Sequence, residues 1–145
     1  MPTSNLLFYS VGAMFLLSLN ARAELFIDEG FDYPNGNLTS VSGGAWQAHS
    51  AAGSTPIQVV NDAAVLHQGS GSREDDHIDT GVTMTSGDTW YSSFDVTING
   101  GSNQVYFAHF KDAGNIFEAR VFVTAFSGSD FTFGLSGSAT TPSST

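Results

Sequence analysis

An alternation of apolar and polar side chains, with a period of two residues, is the feature that most constrains the fold of this chain. In residues 90–98, every second position from Trp90 onward is apolar apart from one serine, and the positions between them hold Tyr91 and polar residues. Successive side chains of a β-strand point to opposite faces, so this pattern predicts a strand with one buried and one solvated face. After residue 24, no segment shows the three- and four-residue spacing of an amphipathic helix. The chain is therefore predicted to be all-β.

The C-terminal half predicts an antiparallel meander of four strands. After residues 90–98 come residues 104–110, 116–126 and 131–135, and turn sequences such as Asn99-Gly100-Gly101 separate them. Asn and Gly tolerate the positive φ angles that tight hairpins require. Strands that follow one another in sequence through short turns usually pair with each other, which gives a meander.

The alternation also predicts which side chains of the last two strands share a face. In the third strand, Phe117 is predicted on one face, with Arg120 and Phe122 on the other. The last strand is predicted to have one apolar face, formed by Phe131, Phe133 and Leu135.

Shorter apolar segments in the N-terminal half predict further strands, separated by Gly, Ser and Asn. These segments are Leu25–Ile27, Trp46–His49, Ile57–Val60, Ala63–His67 and Ile78–Met84. Many short strands with Gly-rich turns are typical of a β-sandwich or a barrel. The predicted fold class is an antiparallel β-sandwich.

The N-terminal segment has the features of an export signal. The uncharged apolar run Leu6–Leu19 is shorter than the ~20 residues that span a bilayer, and Ala21-Arg22-Ala23 fits the small-x-small rule for signal peptidase. We therefore predict a signal peptide at residues 1–23, a folded domain at 24–135, and a polar tail or loop at 136–145. The protein is then secreted or held at the cell surface. An uncleaved anchor helix is the alternative.

Charge and the lack of cysteine exclude several classes of function. The chain has 4 Lys and Arg against 14 Asp and Glu, which gives a formal net charge of −10. Nucleic acids and anionic membrane surfaces bind basic groups that neutralise phosphates, so neither partner is expected. Because the chain has no cysteine, a disulfide framework, a zinc ribbon, an iron–sulfur site and a thiol nucleophile are excluded.

The densest charged segment is Arg73-Glu74-Asp75-Asp76-His77-Ile78-Asp79. Its carboxylates are hard oxygen ligands of the kind that Ca²⁺ prefers, but their spacing is not that of an EF-hand loop. We favour a solvated loop that enters a strand, with Arg73 partly neutralising the acids and no metal or other cofactor bound. A Ca²⁺ site at Glu74, Asp75, Asp76 and Asp79 is the weaker alternative.

Two other sets of side chains are candidates for a site. The four histidines lack the spacing of a zinc motif, and His109, which lies between apolar neighbours, is predicted to be a hydrogen-bonded core residue. Aromatic rings pack against the C–H faces of sugars, so exposed Tyr or Trp side chains would form a carbohydrate-binding platform. The candidates are Tyr91, which the alternation places outward, together with Trp46 and Tyr33.

The segment Phe31-Asp32-Tyr33-Pro34-Asn35-Gly36-Asn37-Leu38, followed by Gly43-Gly44-Ala45-Trp46, resembles the start of a recurrent bacterial exported domain. Tyr106–Asp112 and Glu118–Val121 extend the similarity, which covers nearly all of residues 24–135. This domain is the LamG or concanavalin A-like jelly roll of surface proteins, and the resemblance implies that fold without a defined ligand or catalytic set. Members of the family continue with more strands, so the resemblance also favours an incomplete copy.

A second resemblance concerns the acidic segment alone. Glu74-x-Asp76-x-x-Asp79 is similar to the E-x-D-x-x-E signature of laminarinase-like retaining glycoside hydrolases, although Asp79 is one methylene shorter than the expected Glu. It implies a nucleophile at Glu74, an electrostatic helper at Asp76 and an acid/base at Asp79. The leading hypothesis remains an exported, non-catalytic β-sandwich module that binds carbohydrate or extracellular matrix. The alternatives are this hydrolase and a structural fragment with no ligand.

Overall fold

The computed structural model describes residues 24–67, 71–100, 104–114, 116–127 and 130–143. The predicted signal peptide at residues 1–23 and the last residue of the predicted turn at 99–101 lie outside the described residues. Within the described ranges, no helix has the length and apolar character needed to cross a membrane.

The described part of the chain is mainly β, as predicted, and its strands pair in antiparallel sheets. The strands are β1 (Gly36–Asn37), β2 (Trp46–Ser50), β3 (Gln58–Val59), β4 (Ala64–Val65), β5 (Asp75–Ile78), β6 (Val105–Lys111), β7 (Phe117–Ser127) and β8 (Asp130–Ser136). A short helix, α1 (Leu38–Val41), follows β1. The described strands pair in the orders β1-β3-β4, β2-β5 and β6-β7-β8.

The sheet β6-β7-β8 is the predicted meander without its first strand. Antiparallel pairing of β6 with β7 and of β7 with β8 confirms the three C-terminal strands. The prediction of a strand at residues 90–98 was wrong, because this segment forms no hydrogen-bonded ladder. It packs against β6 through side chains instead, with ring centroids 6.1 Å apart for Trp90 and Phe110 and 5.5 Å apart for Phe94 and Phe107. Alternation predicts a buried face, but a strand also needs a neighbour with unpaired backbone groups.

The strand predictions for the N-terminal half are correct in part. β2, β3 and β4 lie at three of the predicted segments. The predictions at Leu25–Ile27 and Ile78–Met84 were wrong, because the first carries no strand and the second overlaps β5 only at Ile78. β5 is formed by the acidic segment itself, in which Asp76 lies opposite Ala48 of β2. Pairing with β2 therefore outweighs the low strand propensity of Asp.

β7 does not alternate throughout its length, because it has a bulge at Ala119. Ala119 has φ = 48°, and the register with β6 shifts there, with Glu118 opposite Phe110 but Val121 opposite Ala108. One extra residue in a strand reverses the order of the faces beyond it. A second register shift, in β6 between Tyr106 and Ala108, compensates for the first.

These shifts bring the functionally interesting side chains of the sheet to one face. Phe117 lies on the same side as Phe122, and the centroids of both rings are within 6.4 Å of the Tyr106 ring. The Arg120 guanidinium lies over the Phe117 ring at 4.6 Å. The prediction that Phe117 faces away from Arg120 and Phe122 was therefore wrong, because simple alternation assumes a strand without a bulge.

The other face of the sheet carries an exposed apolar surface. Phe131 and Phe133 share one side of β8, as predicted, with ring centroids 5.3 Å apart. Their side chains are 36% and 43% exposed, and Leu135 is 56% exposed. The buried positions of β8 are Gly134 and Ser136 instead. Solvent therefore contacts the apolar side of this strand.

The buried apolar core is small, and the segment after β8 folds back onto the sheet. The buried apolar side chains of the described residues are Leu38, Val59, Phe122 and Val123. β8 ends at Ser136, one residue beyond the predicted domain boundary, and the Ser143 amide donates a 2.8 Å hydrogen bond to the Leu135 carbonyl. Part of the predicted polar tail is therefore packed on the sheet.

The bulge at Ala119 can be tested by two substitutions. A positive φ is unfavourable by roughly 1–2 kcal/mol for a residue with a Cβ, but not for glycine. We expect Ala119→Gly to raise the free energy of unfolding by about 1 kcal/mol and Ala119→Val to lower it. Urea denaturation measures both changes.

Ala108→Gly, at a position of β6 without a positive φ, is the matched control. It is expected to lower the free energy of unfolding, since glycine in a strand interior is destabilising. Equal destabilisation by Ala119→Gly and Ala108→Gly would mean that β7 has no bulge at Ala119.

Candidate functional site

A cavity of about 340 Å³ lies between the β2-β5 sheet and β6, and it is called the pocket below. The aromatic residues on its lining are Phe31, Trp46, Phe94, Tyr106 and Phe107, and the acidic ones are Glu74, Asp75, Asp76 and Asp95. The volume falls within the ~300–1,000 Å³ range of small-molecule sites. The pocket is therefore the candidate functional site of the described chain.

β5 brings three of the four acidic residues of the sequence cluster to the pocket. Asp75 and Asp76 belong to β5 and Glu74 directly precedes it, so all three are fixed by the pairing with β2. Asp79 lies beyond the end of β5 and is exposed, and its Oδ1 accepts a 2.8 Å hydrogen bond from the Gly81 amide. The structure thus groups Glu74, Asp75 and Asp76 in the pocket lining and leaves Asp79 outside it.

Glu74 is the most deeply buried of these acids, with 5% of its surface exposed. Its amide donates a 2.6 Å hydrogen bond to the Ser54 carbonyl, and its Oε2 accepts one from the Gly53 amide. Its Oε1 is buried and has no hydrogen-bond partner among the described residues. A buried carboxylate oxygen without a donor is costly, so this atom marks a position where a ligand could donate.

Asp76 lies next to Glu74 without a donor for its own carboxylate. Both of its oxygens are buried and unpartnered among the described residues. Burial is the main cause that raises the pKa of Asp76 from 3.8 to about 6, and the neighbouring acidic side chains of Glu74 and Asp75 raise it further. The Asp76 carboxyl group therefore keeps its proton to a higher pH than an exposed aspartate does.

Asp75 connects the two sheets that form the pocket. Its Oδ2 accepts hydrogen bonds from the Ser50 hydroxyl of β2 at 2.8 Å and the Tyr106 hydroxyl of β6 at 3.1 Å. Burial, the charge of Asp75 and this hydrogen bond together raise the pKa of Tyr106. Tyr106 is therefore held as a neutral donor with its ring against the pocket.

Two of the three predicted ligand-binding aromatics converge on Glu29. Its Oε2 accepts hydrogen bonds of 2.8 Å from the Tyr33 hydroxyl and from Trp46 Nε1, and its Oε1 accepts one from the Phe31 amide at 2.6 Å. Burial opposes ionisation of Glu29, but these three hydrogen bonds outweigh it and lower its pKa. The Phe31 and Trp46 rings are stacked, with centroids 5.7 Å apart.

The three predicted aromatics occupy different environments. Trp46 lines the pocket. Tyr33 is not part of the lining, and its hydroxyl donates a hydrogen bond to Glu29. Tyr91 is 88% exposed and does not belong to the pocket lining. Sequence reasoning missed Glu29, because a carboxylate four residues before a tyrosine gives no distinctive signal.

Three histidines, one each from β2, β5 and β6, lie together. The His49 ring centroid is 5.4 Å from that of His77 and 5.6 Å from that of His109, and His109 packs edge-on against Phe117 at 4.7 Å. Burial, followed by the charge of His49, lowers the pKa of His109 from 6.5 to about 4. The contacts of His109 are ring contacts, without a hydrogen bond to a described residue, so its predicted hydrogen bonding was wrong.

Arg120 supports the pocket wall from behind, and sequence reasoning did not single it out. Its guanidinium lies over the Tyr106 ring at 5.4 Å, and its Nη1 donates hydrogen bonds to the carbonyls of Ser138 at 3.3 Å and Ala139 at 2.7 Å. Such cation–π contacts are typical of buried arginine. Alternation without the bulge would have placed Arg120 away from Phe117, which hid this role.

Neither metal ligands among the described residues nor similarity to known proteins assigns a function to the chain. Among the described residues, no group of three or more His, Asp or Glu side chains is arranged to hold a metal ion, and the Glu74–Asp79 cluster is no exception. The chain matches no protein-family model, no curated protein and no solved structure. The pocket is therefore the feature of the described chain that bears on its function.

The opposite pKa shifts of Asp76 and His109 predict opposite pH effects on stability. The raised pKa of Asp76 gives stability that is full below about pH 4 and is lost as the pH rises through 6. The lowered pKa of His109 gives stability that is full above about pH 6.5 and is lost as the pH falls through 4. Between these values the two effects largely cancel in the wild-type protein.

Single substitutions should separate the pH effect of Asp76 from that of His109. Each substitution changes the free energy of unfolding relative to wild type, and this change should depend on pH. For Asp76→Asn we expect it to be about 1 kcal/mol more stabilising at pH 7 than at pH 4.5. For His109→Gln we expect it to be about 1 kcal/mol more stabilising at pH 4.5 than at pH 7. Urea denaturation at the two pH values measures this. The same effect of either substitution at both pH values would mean that its pKa is not shifted by folding.

Proposed function

We propose that the chain is an exported, non-catalytic carbohydrate-binding domain with a β-sandwich fold of the concanavalin A-like kind, and that the pocket is its sugar site. The observation that carries the proposal is the combination, in one cavity, of an aromatic wall with buried carboxylate oxygens that have no donor. The apolar segment and small-x-small sequence at residues 1–23 support export to the cell surface or beyond.

The aromatic wall provides the stacking half of sugar recognition. Trp46 is held in orientation by its hydrogen bond to Glu29, and Tyr106 by its hydrogen bond to Asp75 and by Arg120 beneath its ring. Rings fixed in this way lose little side-chain entropy when a ligand binds. The cavity volume suits one or two sugar rings rather than the length of a polysaccharide chain.

The carboxylates provide the polar half. Glu74 Oε1 and both oxygens of Asp76 accept no hydrogen bond from the described residues, and hydroxyl groups of a sugar are donors. A bound sugar would satisfy these atoms, so that the cost of burying them is recovered on binding. Side-chain carboxylates that fix hydroxyls beside stacked rings are a common arrangement in small-molecule sites.

Binding and its location can be tested with oligosaccharides of defined linkage. Laminarihexaose, cellohexaose and chitohexaose are titrated into the mature chain by isothermal calorimetry, with saturable binding of at least one expected. Trp46→Ala should weaken that binding by at least about tenfold, since it removes the stacking ring. Phe131→Ala, which removes an exposed ring outside the pocket lining, should leave it unchanged.

Two outcomes contradict this proposal. If none of the three oligosaccharides binds, carbohydrate binding is wrong for these sugars, and a fragment without a ligand is favoured. If Tyr91→Ala abolishes binding while a folded Trp46→Ala variant does not, the sugar binds the exposed surface around Tyr91 and not the pocket. Circular dichroism of each variant establishes that it is folded.

A glycoside hydrolase is the second candidate, and the pairing of Glu74 with Asp76 favours it. Hydrolysis of a glycosidic bond requires one ionised and one protonated carboxyl group. The raised pKa of Asp76, about 6, next to Glu74 would supply such a pair. In this candidate Glu74 is the nucleophile and Asp76 the proton donor, because Asp79 is outside the pocket lining.

Hydrolysis is checked by measuring the reducing ends released from laminarin. We expect the wild-type protein and Glu74→Gln to be equally inactive, since the leading proposal is non-catalytic. Release of reducing ends by the wild type that Glu74→Gln abolishes would overturn the non-catalytic proposal and establish the hydrolase.

A further inference from the structure

We propose that the pocket selects sugars that carry a protonated amine, as in a hexosamine with a free amino group, over neutral sugars. This inference rests on the proposed carbohydrate binding and adds the chemical class of the ligand. It is carried by the charge of the pocket, by the number of unpartnered oxygens in it, and by the kind of rings around them.

Negative charge dominates the pocket lining. Four acidic residues, Glu74, Asp75, Asp76 and Asp95, line it together with one basic residue, Arg73. The low dielectric of a partly enclosed site strengthens the attraction between these carboxylates and a cation. A neutral sugar gains nothing from this field, whereas an ammonium group does.

The unpartnered oxygens are concentrated on two side chains, and the deeper of the two is nineteen-twentieths buried, with 5% of Glu74 exposed. Glu74 Oε1, Asp76 Oδ1 and Asp76 Oδ2 are all buried without a donor. A sugar hydroxyl has one proton to donate, whereas an ammonium group has three. An ammonium group can therefore donate to more of these oxygens than one hydroxyl can, and its charge also offsets the repulsion between the two carboxylates, which hydroxyls would leave in place.

The rings around the acids suit the same ligand. Trp46 and Tyr106 both line the pocket with Glu74 and Asp76. Their π faces attract a cation as well as the C–H face of a pyranose ring. An amino sugar presents both groups on one ring, which a simple amine or a neutral sugar does not.

Three oligosaccharides that differ only at C2 test the inference. The hexamer of β-1,4-linked glucosamine carries an amine there, chitohexaose an acetamide and cellohexaose a hydroxyl. At pH 7.0 and moderate salt, calorimetry should show the glucosamine hexamer binding about tenfold or more tighter than the other two. Glu74→Gln should reduce this preference to within about threefold, because it removes charge with little change of shape.

Glu118→Gln is the matched control, since it removes the same charge from an exposed position of β7 outside the pocket lining. It should leave the preference intact. If Glu118→Gln lowers the preference as much as Glu74→Gln does, the preference arises from the net charge of the chain, and the inference is wrong.

The remaining outcomes separate this inference from the proposed function. Equal binding of the three hexamers leaves carbohydrate binding standing and overturns amine selectivity. Binding of none of them overturns carbohydrate binding itself. Cadaverine serves as a diamine without a sugar ring, and if it binds as tightly as the glucosamine hexamer, the pocket recognises amines and the assignment to amino sugars is wrong.

Discussion

The pairing of β5 with β2 is the constraint on which the pocket depends. It turns an acidic segment, which would otherwise be a solvated loop, into a strand and holds Asp75 and Asp76 in fixed positions. Because Asp75 then binds the Tyr106 hydroxyl, the same pairing also fixes how β6 approaches. The free energy needed to bring these carboxylates together comes from backbone hydrogen bonds and from the packing of the surrounding rings, and not from the acids themselves.

The buried acids carry a cost that the described residues do not offset. Asp76 has a raised pKa and no donor, and Glu74 has one oxygen without a partner. Natural proteins keep such groups mostly where they have a role in binding or catalysis. Both the binding proposal and the hydrolase rest on this cost, and they differ in what relieves it: donors from a bound ligand, or a proton that Asp76 gives up during a reaction.

The sequence predicted the β class and the strands β6, β7 and β8 well, because alternation reports the two-residue period of a strand. It failed where the availability of a backbone partner decides the structure. Residues 90–98 alternate but have no backbone partner, and their Phe94 and Val96 side chains are exposed, whereas β5 has a partner but a composition typical of loops. Of the predicted site residues, Glu74, Asp76 and Trp46 line the pocket, whereas Glu29 and Arg120 support it through contacts that no local pattern encodes.

The contacts of Arg120 connect the pocket to the segment after β8. The carbonyls of Ser138 and Ala139 hold the guanidinium, the guanidinium lies on the Tyr106 ring, and the Tyr106 hydroxyl donates to Asp75. A force applied to residues 138–143 would thus act on the pocket lining through two side chains. In a protein anchored or extended beyond this segment, tension on the chain would change the shape of the pocket.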